Sequence, residues 1–551
     1  MNRKIFALSL LLGCGLSAGA QDYFWTPSGD RYKAAESIRL DGADSVVFRN
    51  NRLQVYRDGS PENWMYSRVL GLTTSADSSA AFYIGEPERA LWKPTTSDNN
   101  YNNNYSNPES RWSFKNSRES KHFIVYWDKQ FGDNPLSTGV PSNLRVDVTD
   151  LLKKAEQFFE TNVDKLKMAT VGEGQSQLDT YKMSIYLLYQ TEWLATGSGY
   201  DDVIGALWVN PSTCKPVGHT IAHEIGHSFQ YQVACDWRKN GERNYKNRGW
   251  RYGFGANGSG GNGFWEQCAQ WQGFQDYPSE TFGYHVDVWK ANYHRHVHHE
   301  WMRYASYWWQ YHLVEKHGYD AYGRLWRESR YPEDPMETYT RLFCGGDWEV
   351  FWDDYFEYAT KLANYQFEDI HKYLNTNYSA RNYKTAMYLG DDNYYQVAYR
   401  SCPETTGVNF IQVNSFKAGE QVSVDFKGLD PGSPLHTNDP GHAFLEDGGG
   451  KYDVQTTYNA AGKAEDRGWH YAFVAIVNDG TTNANTVVSE VQKNDEGTIT
   501  FTVPTGTIRL SLCVVGTPKT YNRHAWDEKD ANDVQWPYKV KFTGCKPTGI
   551  N

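Results

Sequence analysis

Three histidines recur at four-residue intervals in the stretch VGHTIAHEIGHSFQYQVACDW, at positions 219, 223 and 227. Residues four apart lie on one face of an α-helix, about 6 Å apart along its axis, so two imidazoles at this spacing can bind one small cation. Glu224 follows the middle histidine, where its carboxylate can polarise a water molecule on that cation. The spacing therefore predicts an H-E-x-x-H metal site on a helix, with His223 and His227 as ligands.

The first histidine of the series does not fit the same site. His219 and His227 are eight positions apart (227 − 219), or about 12 Å along a helix that rises 1.5 Å per residue. Zinc bonded to nitrogen at about 2.0–2.1 Å cannot span that separation. Pairing His219 with His223 would put Thr220 where the carboxylate belongs. We therefore predict that His219 starts the helix or supports the ligands.

The residues around the motif favour a helix that is buried on most sides. The neighbours within the helix are all uncharged, and Pro216 stands shortly before the expected start, a position that suits a helix N-terminus. These neighbours are Thr220, Ile221, Ala222, Ile225, Gly226, Ser228 and Phe229. The alternative interpretation is a polar stripe on a buried helix that binds no metal.

A third ligand must come from elsewhere in the chain. The metzincin extension of the motif is absent, because Gln230 stands at its glycine position and Val233 at its third histidine position. Glu266, 39 positions after His227 (266 − 227), lies in the aromatic segment GNGFWEQCAQWQGF. A carboxylate buried there would need a strong partner such as zinc, whereas an exposed helix start would need none. The weaker candidates, in loop-like surroundings, are Glu242, Asp276 and Glu280.

Two further segments carry clusters of one chemical type. Positions 238–263 are rich in arginine, lysine and glycine, and we predict a mobile basic flap in which Arg248 and Arg251 favour acidic substrates; a solvated loop is the alternative. The run HRHVHHE, at 294–300, spaces its histidines at i, i+2, i+4 and i+5. That irregular spacing favours a solvated or pH-sensitive surface over a second set of metal ligands.

The elements around the motif predict an α+β chain in several domains. Residues 1–20 resemble a secretory signal peptide, residues 21–95 a small β module and residues 96–111 a linker. Strands are predicted at 122–127, 183–189 and 204–210, and helices at 148–166, 264–274, 301–318 and 347–365. We therefore expect one α+β domain over 112–390. Short strands from 395 to 551 predict a C-terminal β-sandwich.

Composition limits the function and the location. The net charge of −11 argues against affinity for nucleic acid or anionic membranes. The leader ends in Ala18-Gly19-Ala20, so we expect export to the periplasm or the outside, with a lipoprotein anchored through Cys14 as the alternative. No later run of 18 apolar residues predicts a transmembrane segment. An exported chain can form disulfides, but its seven cysteines after position 20 are an odd number.

Two features of the β regions could bind a ligand other than the metal at the HExxH motif: the aromatic residues a glycan, and an acidic loop calcium. The 21 tryptophans and 40 tyrosines allow glycan binding, although aromatic residues in a sandwich more often fill its core. The acidic loop NDPGHAFLEDGGGKYD offers oxygen ligands for calcium. No fixed ligand spacing in that loop supports a calcium site.

Beyond the motif, four segments are similar to an uncharacterised family of secreted metallopeptidase-like proteins from Bacteroidota: HTIAHEIGHSFQYQ, GFWEQCAQW, RYASYWWQYHLVEKHG and WPYKVKFTG. The order of a strand pair, an HExxH helix and a glutamate-bearing helix resembles the gluzincin zinc metallopeptidases. The resemblance covers the chain from about residue 115 onward and implies a zincin-like catalytic domain with one zinc ion. It implies His223, His227 and Glu266 as ligands, and Glu224 as general base.

The resemblance also implies roles for residues near the motif. In zinc peptidases the strand before the metal helix lies at a sheet edge and pairs with extended substrate, which here points to Ala206, Leu207 and Trp208. A tyrosine often supplies the donor for the oxyanion, and the likeness favours Tyr304 or Tyr307, with core packing as the alternative role.

Three protein ligands would leave one coordination position for water, as catalytic zinc sites do. Glu224 would take a proton from that water, and the hydroxide would attack a peptide carbonyl. We therefore expect an exported zinc peptidase acting on proteins, peptides or glycoproteins. The alternative is a glycan-binding or surface adhesion protein whose metallopeptidase-like centre is not catalytic.

Overall fold

The computed structural model describes side chains at residues 89–94, 105, 107–245, 248–250, 263–375, 378, 383–441, 454–478, 484–524 and 530–548, and some further elements by backbone alone. The chain divides into two compact units. The first comprises Met1–Asp164 and Ala169–Arg243, and the second comprises Lys165–Met168 and Asn244–Asn551. The boundary near residue 243 therefore falls inside the region predicted as one domain, 112–390. Each unit is described by itself.

In the described part of the first unit, strands precede and alternate with two α-helices. The strands are β1 (Tyr23–Thr26), β2 (Glu36–Arg39), β3 (Ser45–Arg49), β4 (Arg52–Arg57), β5 (Ser60–Met65), β6 (Gly71–Thr73), β7 (Phe82–Tyr83), β8 (Ala90–Leu91), β9 (Ser117–Glu119), β10 (Phe123–Trp127), β11 (Tyr181–Leu187), β12 (Ala195–Tyr200) and β13 (Ile204–Val209). The helices are α1 (Val148–Glu160) and α2 (His219–Lys239).

One sheet of the first unit carries the candidate site. Its strands run in the order β12-β13-β11-β10-β9, and β8 also pairs with β11. The pairs β10–β11 and β11–β13 are parallel, whereas β12 is antiparallel to β13. The run FIVYW of β10 is wholly buried, as expected for a strand covered on both faces. The strands predicted at 122–127, 183–189 and 204–210 are thus confirmed.

The helix α1 follows the predicted apolar pattern. The Asp147 carboxylate accepts hydrogen bonds from the backbone N–H groups of Thr149 and Asp150, and so caps the first turn. The apolar side chains predicted for the inner face are all buried: Leu151, Leu152, Ala155, Phe158 and Phe159. Phe159 packs edge-on against Phe229 of α2, with ring centroids 5.5 Å apart. These contacts seat α2 in the core of the unit.

Polar side chains bond α2 to the sheet beneath it. The Ser228 hydroxyl donates to the Ala206 carbonyl at 3.1 Å. The Gln232 side-chain oxygen accepts from the Gly205 N–H at 3.0 Å. A buried helix can carry this many polar residues because each bonds to the strand or to the helix itself. The helix is therefore held in a fixed register against β13.

In its described part, the second unit contains helices followed by strands. The helices are α3 (Gly261–Phe274), α4 (Val286–Asn292), α5 (Trp309–His317), α6 (Asp320–Arg327), α7 (Pro335–Phe343) and α8 (Trp348–Leu362). The strands are β14 (Met387–Leu389), β15 (Tyr395–Val397), β16 (Val408–Asn414), β17 (Gln421–Gly428), β18 (His442–Leu445), β19 (Tyr452–Gln455), β20 (Trp469–Val477), β21 (Asn485–Val488), β22 (Glu496–Thr502), β23 (Thr507–Gly516), β24 (Tyr538–Thr543) and β25 (Lys546–Pro547).

One predicted helix of this unit is confirmed only in its second half. The segment 301–318 is helical only from Trp309, after a single 3-10 turn at Glu300–Met302. Tyr307, Trp308 and Trp309 are consecutive and all buried. A run that is apolar on every side has no helical period, so the aromatic composition did not specify a helix here.

The predicted C-terminal strands form two five-stranded antiparallel sheets. Their orders are β14-β15-β24-β17-β22 and β21-β20-β23-β16-β25. One hydrophobic core joins them, with Phe426 of the first sheet packed among Trp469 and Tyr471 of the second. Trp536 is also fully buried there. These aromatic side chains fill a sandwich core and do not form a glycan-binding surface.

The mixed α+β class is thus confirmed, with helices and strands in both units. In the part of the chain that the structure describes, no helix combines the length and hydropathy needed to cross a membrane. The seven cysteines that the structure describes, from Cys214 to Cys545, are buried and form no disulfide. The predicted signal peptide with Cys14 lies outside the described residues, as do the side chains at 442–453 of the acidic loop 438–453. In the described part of that loop, the Asp439 carboxylate accepts from the Tyr399 and Gly441 N–H groups.

Candidate metal centre

The helix α2 brings together the three residues that the motif predicts. Ligand atoms of His223, Glu224 and His227 all lie within 4.8 Å of one another. The two imidazole rings are perpendicular, with centroids 4.6 Å apart. The side chains are buried, at 7%, 5% and 3% exposure in chain order. This group could therefore hold a metal ion from one face of one helix.

His219 takes the supporting position predicted for it. It is the first residue of α2, and its ring centroid lies 6.2 Å from that of His223. The converging group on this helix contains His223, Glu224 and His227 but not His219. The prediction that His219 starts the helix is confirmed.

A glutamine fixes the orientation of the second ligand. Nδ1 of His227 lies 3.0 Å from the side-chain oxygen of Gln230. Because that oxygen only accepts, Nδ1 carries the proton and Nε2 keeps the lone pair. Metal-binding histidines commonly bond through the other ring nitrogen to such an acceptor. From the sequence, Gln230 served only to exclude the metzincin motif, although its position three residues after His227 could have suggested this role.

The carboxylate of Glu224 is held by the neighbouring strand. The backbone N–H of Gly197, in β12, donates to Oε2 of Glu224 at 2.6 Å. The strand comes so close that a Cβ on Gly197 would lie 2.0 Å from the Glu224 carbonyl oxygen and 2.8 Å from Cβ of His227. No sequence pattern predicted a role for Gly197, although the glycines in ATGSGY could have indicated that the backbone of another element comes close to this strand.

The predicted edge strand is wrong by one strand. Ala206, Leu207 and Trp208 lie in β13, which pairs with β11 on one side and β12 on the other. Its backbone groups are therefore used within the sheet and cannot pair with a peptide. Among the described strands β12 stands at the end of the order instead. A short turn at 201–203 returns the chain antiparallel, and this reversal cannot be read from the strand's own residues.

Two predicted residues of the second unit lie together. The Tyr304 hydroxyl donates to Oε1 of Glu266 at 3.0 Å, and Glu266 is half-buried on α3. Burial, with the nearby Glu266 charge, raises the pKa of Tyr304 to about 12, so the hydroxyl stays protonated. Glu266 as third metal ligand and Tyr304 as oxyanion donor remain predictions.

Tyr307 does not fit the predicted role. Its side chain is fully buried, packs against Phe274 and Trp308, and donates its hydroxyl to the Thr281 carbonyl at 2.7 Å. Burial raises its pKa well above the usual value. A hydroxyl committed to a core carbonyl is not available to an oxyanion, so the core-packing alternative is correct for this residue.

The basic flap remains a prediction. Arg248 is exposed, and its backbone carbonyl accepts from the Tyr331 N–H at 2.7 Å within the second unit. Arg251 and most of the glycine-rich segment lie outside the described residues.

The histidine run 294–300 is not the exposed surface that its spacing favours. His296, His298, His299 and Glu300 are all buried. The segment leading into the sandwich covers them, because the His296 N–H donates to Glu404 at 2.8 Å and the Val297 N–H to Thr406 at 2.9 Å. Partners more than 100 residues away in sequence could not be inferred from a local pattern.

The fold and site define a mixed α+β protein with a buried HExxH helix. Residues 86–549 match the profile of the family of unknown function DUF6055. Since the match spans most of the chain, the protein belongs to that family. No curated protein matches the chain.

Proposed function

We propose that this protein is an exported, zinc-dependent metallopeptidase that hydrolyses peptide bonds of proteins or glycoproteins. The observation that carries the proposal is the buried group His223, Glu224 and His227, converging on one face of α2. Two imidazoles with a neighbouring carboxylate are the donor set of zinc peptidases. The proposal includes a gluzincin-type, zincin-like fold with Glu266 as third ligand.

The chain's own residues provide the elements of hydrolysis. Zinc in this position would acidify its bound water and polarise a carbonyl. His227 presents Nε2 because Gln230 accepts the proton at Nδ1. Glu224 has Oε2 bonded to Gly197, which leaves Oε1 to receive a proton and later deliver it to the leaving amine.

The sheet supports a peptide substrate over a small molecule. The strand β12 stands at the end of its sheet among the described strands and contributes the Gly197 N–H beside Glu224. An extended peptide can add to such an edge through its main chain, which tolerates many side chains. We therefore assign substrate pairing to β12, in place of the three residues of β13.

The test combines metal analysis with hydrolysis of a fluorogenic peptide library. We expect chelator-reversible cleavage by the wild-type protein. The Glu224→Gln variant should keep its zinc and lose about 10²- to 10⁴-fold in rate, since it lacks a general base. His223→Ala should lose one equivalent of metal. Glu160→Gln, at an exposed position at the end of α1, is the matched control.

Metal bound without turnover that depends on Glu224 would contradict the enzyme. The alternative, a glycan-binding or adhesion protein with a non-catalytic centre, has less support because Trp469 and Trp536 lie in the sandwich core. A glycan array tests it directly. Glu266→Gln tests the third ligand, since it should lower zinc affinity only if Glu266 binds the ion.

A further inference from the structure

A second group of metal-binding residue types lies inside the second unit, apart from the residues used above. Ligand atoms of His299, Glu404, His524 and Asp533 all lie within 4.8 Å of one another. Their exposures are 1%, 3%, 9% and 5% in that order. They come from the histidine run after α4, the segment before β16 and the connection from β23 to β24. The fold thus gathers distant residues at one buried point.

Asp533 lies between the two imidazoles of this group. Its Oδ2 is 3.4 Å from Nε2 of His299, and its Oδ1 is 3.3 Å from Nδ1 of His524. Most N–H···O hydrogen bonds are shorter, about 2.7–3.2 Å. Ligand atoms around a tetrahedral ion bonded at about 2.1 Å stand about 3.4 Å apart. The separations therefore suit neighbouring ligands of one ion better than hydrogen-bonded pairs.

Glu300 lies behind both imidazoles. Its Oε2 is 2.5 Å from Nε2 of His524 and 3.5 Å from Nδ1 of His299. A carboxylate in this position holds the proton on the nitrogen it faces and leaves the lone pair on the other one. Nδ1 of His524 then directs its lone pair toward Asp533, whereas the longer contact does not fix the tautomer of His299. This is the arrangement found behind metal-bound histidines.

Several acidic side chains of this group surround one guanidinium. Arg295 Nη1 lies 3.1 Å from Asp530, 3.4 Å from Asp533 and 3.5 Å from Glu404. Glu300, 2.5 Å from Nε2 of His524, is the fourth acidic side chain of the group, which holds only one guanidinium and two imidazoles beside them. Buried acidic groups need a partner that compensates their desolvation, and a divalent cation bound here would be one.

Arg295 is the alternative cation of the group. Its Nη1 is 2.9 Å from Nε2 of His299. Because a guanidinium only donates, this contact requires the lone pair of His299 to be on Nε2. The Trp301 N–H, 3.2 Å from Nδ1, favours the opposite tautomer. No single neutral tautomer satisfies both contacts. Arg295 is also anchored elsewhere, by Asp530, by Asn292 at 3.1 Å and by the Trp301 ring at 4.2 Å, so it can remain beside an ion.

A cavity of about 80 Å³ adjoins the group. Its lining includes three of the four residues, Glu404, His524 and Asp533, together with His296 and Asn522. The space is polar and large enough for an ion with water. It offers room for a hydrated ion beside a centre that is otherwise closed.

We propose that His299, Glu404, His524 and Asp533 bind a second divalent cation of the zinc class. Two imidazoles and two carboxylates favour zinc or a similar transition ion over calcium and magnesium, which prefer oxygen ligands alone. This ion joins the histidine run to the sandwich and stabilises the second unit. The site does not depend on the proposed peptidase activity.

The test begins with the full-length His223→Ala/His227→Ala variant, which lacks the first pair of ligands. After equilibration with zinc and removal of the excess, it should retain one equivalent of zinc and melt at a lower temperature when chelated. Cobalt in its place should show the visible absorption of a four- or five-coordinate ion. Adding His524→Asn should remove that equivalent, whereas His470→Asn, at another buried histidine of the unit, should not.

If the double variant binds no zinc and shows no cobalt absorption, the proposal is wrong and Arg295 is the cation of the group. This measurement needs no change in the group itself, so a misfolded His524 variant does not affect it. Anomalous diffraction at the zinc edge would locate the ion, and a peak elsewhere in the chain would also overturn the proposal. Failure of the peptidase assay alone would leave this result unchanged.

Discussion

At the residue scale, the candidate centre depends on two side chains whose partners are fixed by the fold. Gln230 orients His227, and the main chain of Gly197 orients Glu224. The HExxH spacing predicted that His223, Glu224 and His227 converge, because helix periodicity alone brings them together. It could not identify the orienting partners, since one is a glutamine without a motif and the other is a backbone group on a different element.

Replacing Gln230 by leucine should weaken metal binding without unfolding the protein. The leucine cannot accept the proton of His227 Nδ1, so the ring loses its fixed tautomer and orientation. Loss of such a partner lowers metal affinity about 10- to 100-fold. Competition with a fluorescent zinc chelator measures the effect, and Gln157→Leu, at an exposed position on α1, is the control. Equal affinities for the two variants would contradict the role assigned to Gln230.

At the element scale, the packing of β12 on α2 depends on small residues. Gly197 packs directly against Glu224 and His227, and Gly205 of β13 packs directly against Ser228. These contacts bring a strand and a helix close enough for direct polar bonds between them. The same glycines explain why the sheet order was difficult to predict: a strand of small residues, ATGSGY, lacks the apolar alternation by which strands are recognised.

Gly197→Ala should destabilise the first unit. The added Cβ would lie 2.0 Å from a backbone oxygen, so strand or helix must shift. Overpacking of this kind lowers the free energy of unfolding by about 1–3 kcal/mol, or by more where the added atom contacts backbone. Urea unfolding followed by circular dichroism measures the loss. Gly139→Ala, where the nearest atom is 4.0 Å away, should change stability little, and similar midpoints for both variants would refute the close approach.

His470 in β20 should make stability depend on pH. Burial lowers its pKa from 6.5 to about 4, against the opposing effect of nearby Asp353. Between those values the unfolded chain binds a proton that the native protein does not. Stability is therefore complete above pH 6.5 and falls as the pH drops toward 4, by up to about 3 kcal/mol.

Comparing wild type with His470→Gln isolates this contribution, because other titrating groups are common to both. The difference in unfolding free energy between the two proteins should shrink from pH 7 to pH 4. A difference that stays constant over this range would show that His470 is not buried in the neutral form.

Across the whole molecule, local sequence patterns predicted the strands and helices better than they predicted which of these elements pack side by side. The strands of the sandwich and the helices α1 and α8 follow their apolar periods closely. The burial of the 294–300 run depends on a segment far away in sequence, and the order of β12 and β13 depends on how the hairpin that they form joins the sheet. Those outcomes required the tertiary structure, because a short pattern does not record what later packs against it.

The cysteines provide a test that spans both units. All seven that the structure describes are buried and form no disulfide, and burial raises the pKa of Cys214 and Cys268 to about 12. A thiol held in the neutral form reacts slowly. In the chain from Gln21 onward, which lacks Cys14, we expect almost no reaction with a disulfide reagent in the native protein and seven reactive thiols after unfolding without reductant. A count lower by two would reveal a disulfide.

The hydrogen bond from Gly197 to Glu224 also bears on how the edge of this sheet can pair with another strand. A strand at the end of a sheet presents open N–H groups that can recruit the strand of another copy, which is a common start of aggregation. Here one of those N–H groups is taken by a negatively charged carboxylate. The residue proposed to activate water thus also occupies one bonding position on the edge of its own sheet and leaves the rest of that edge to the substrate.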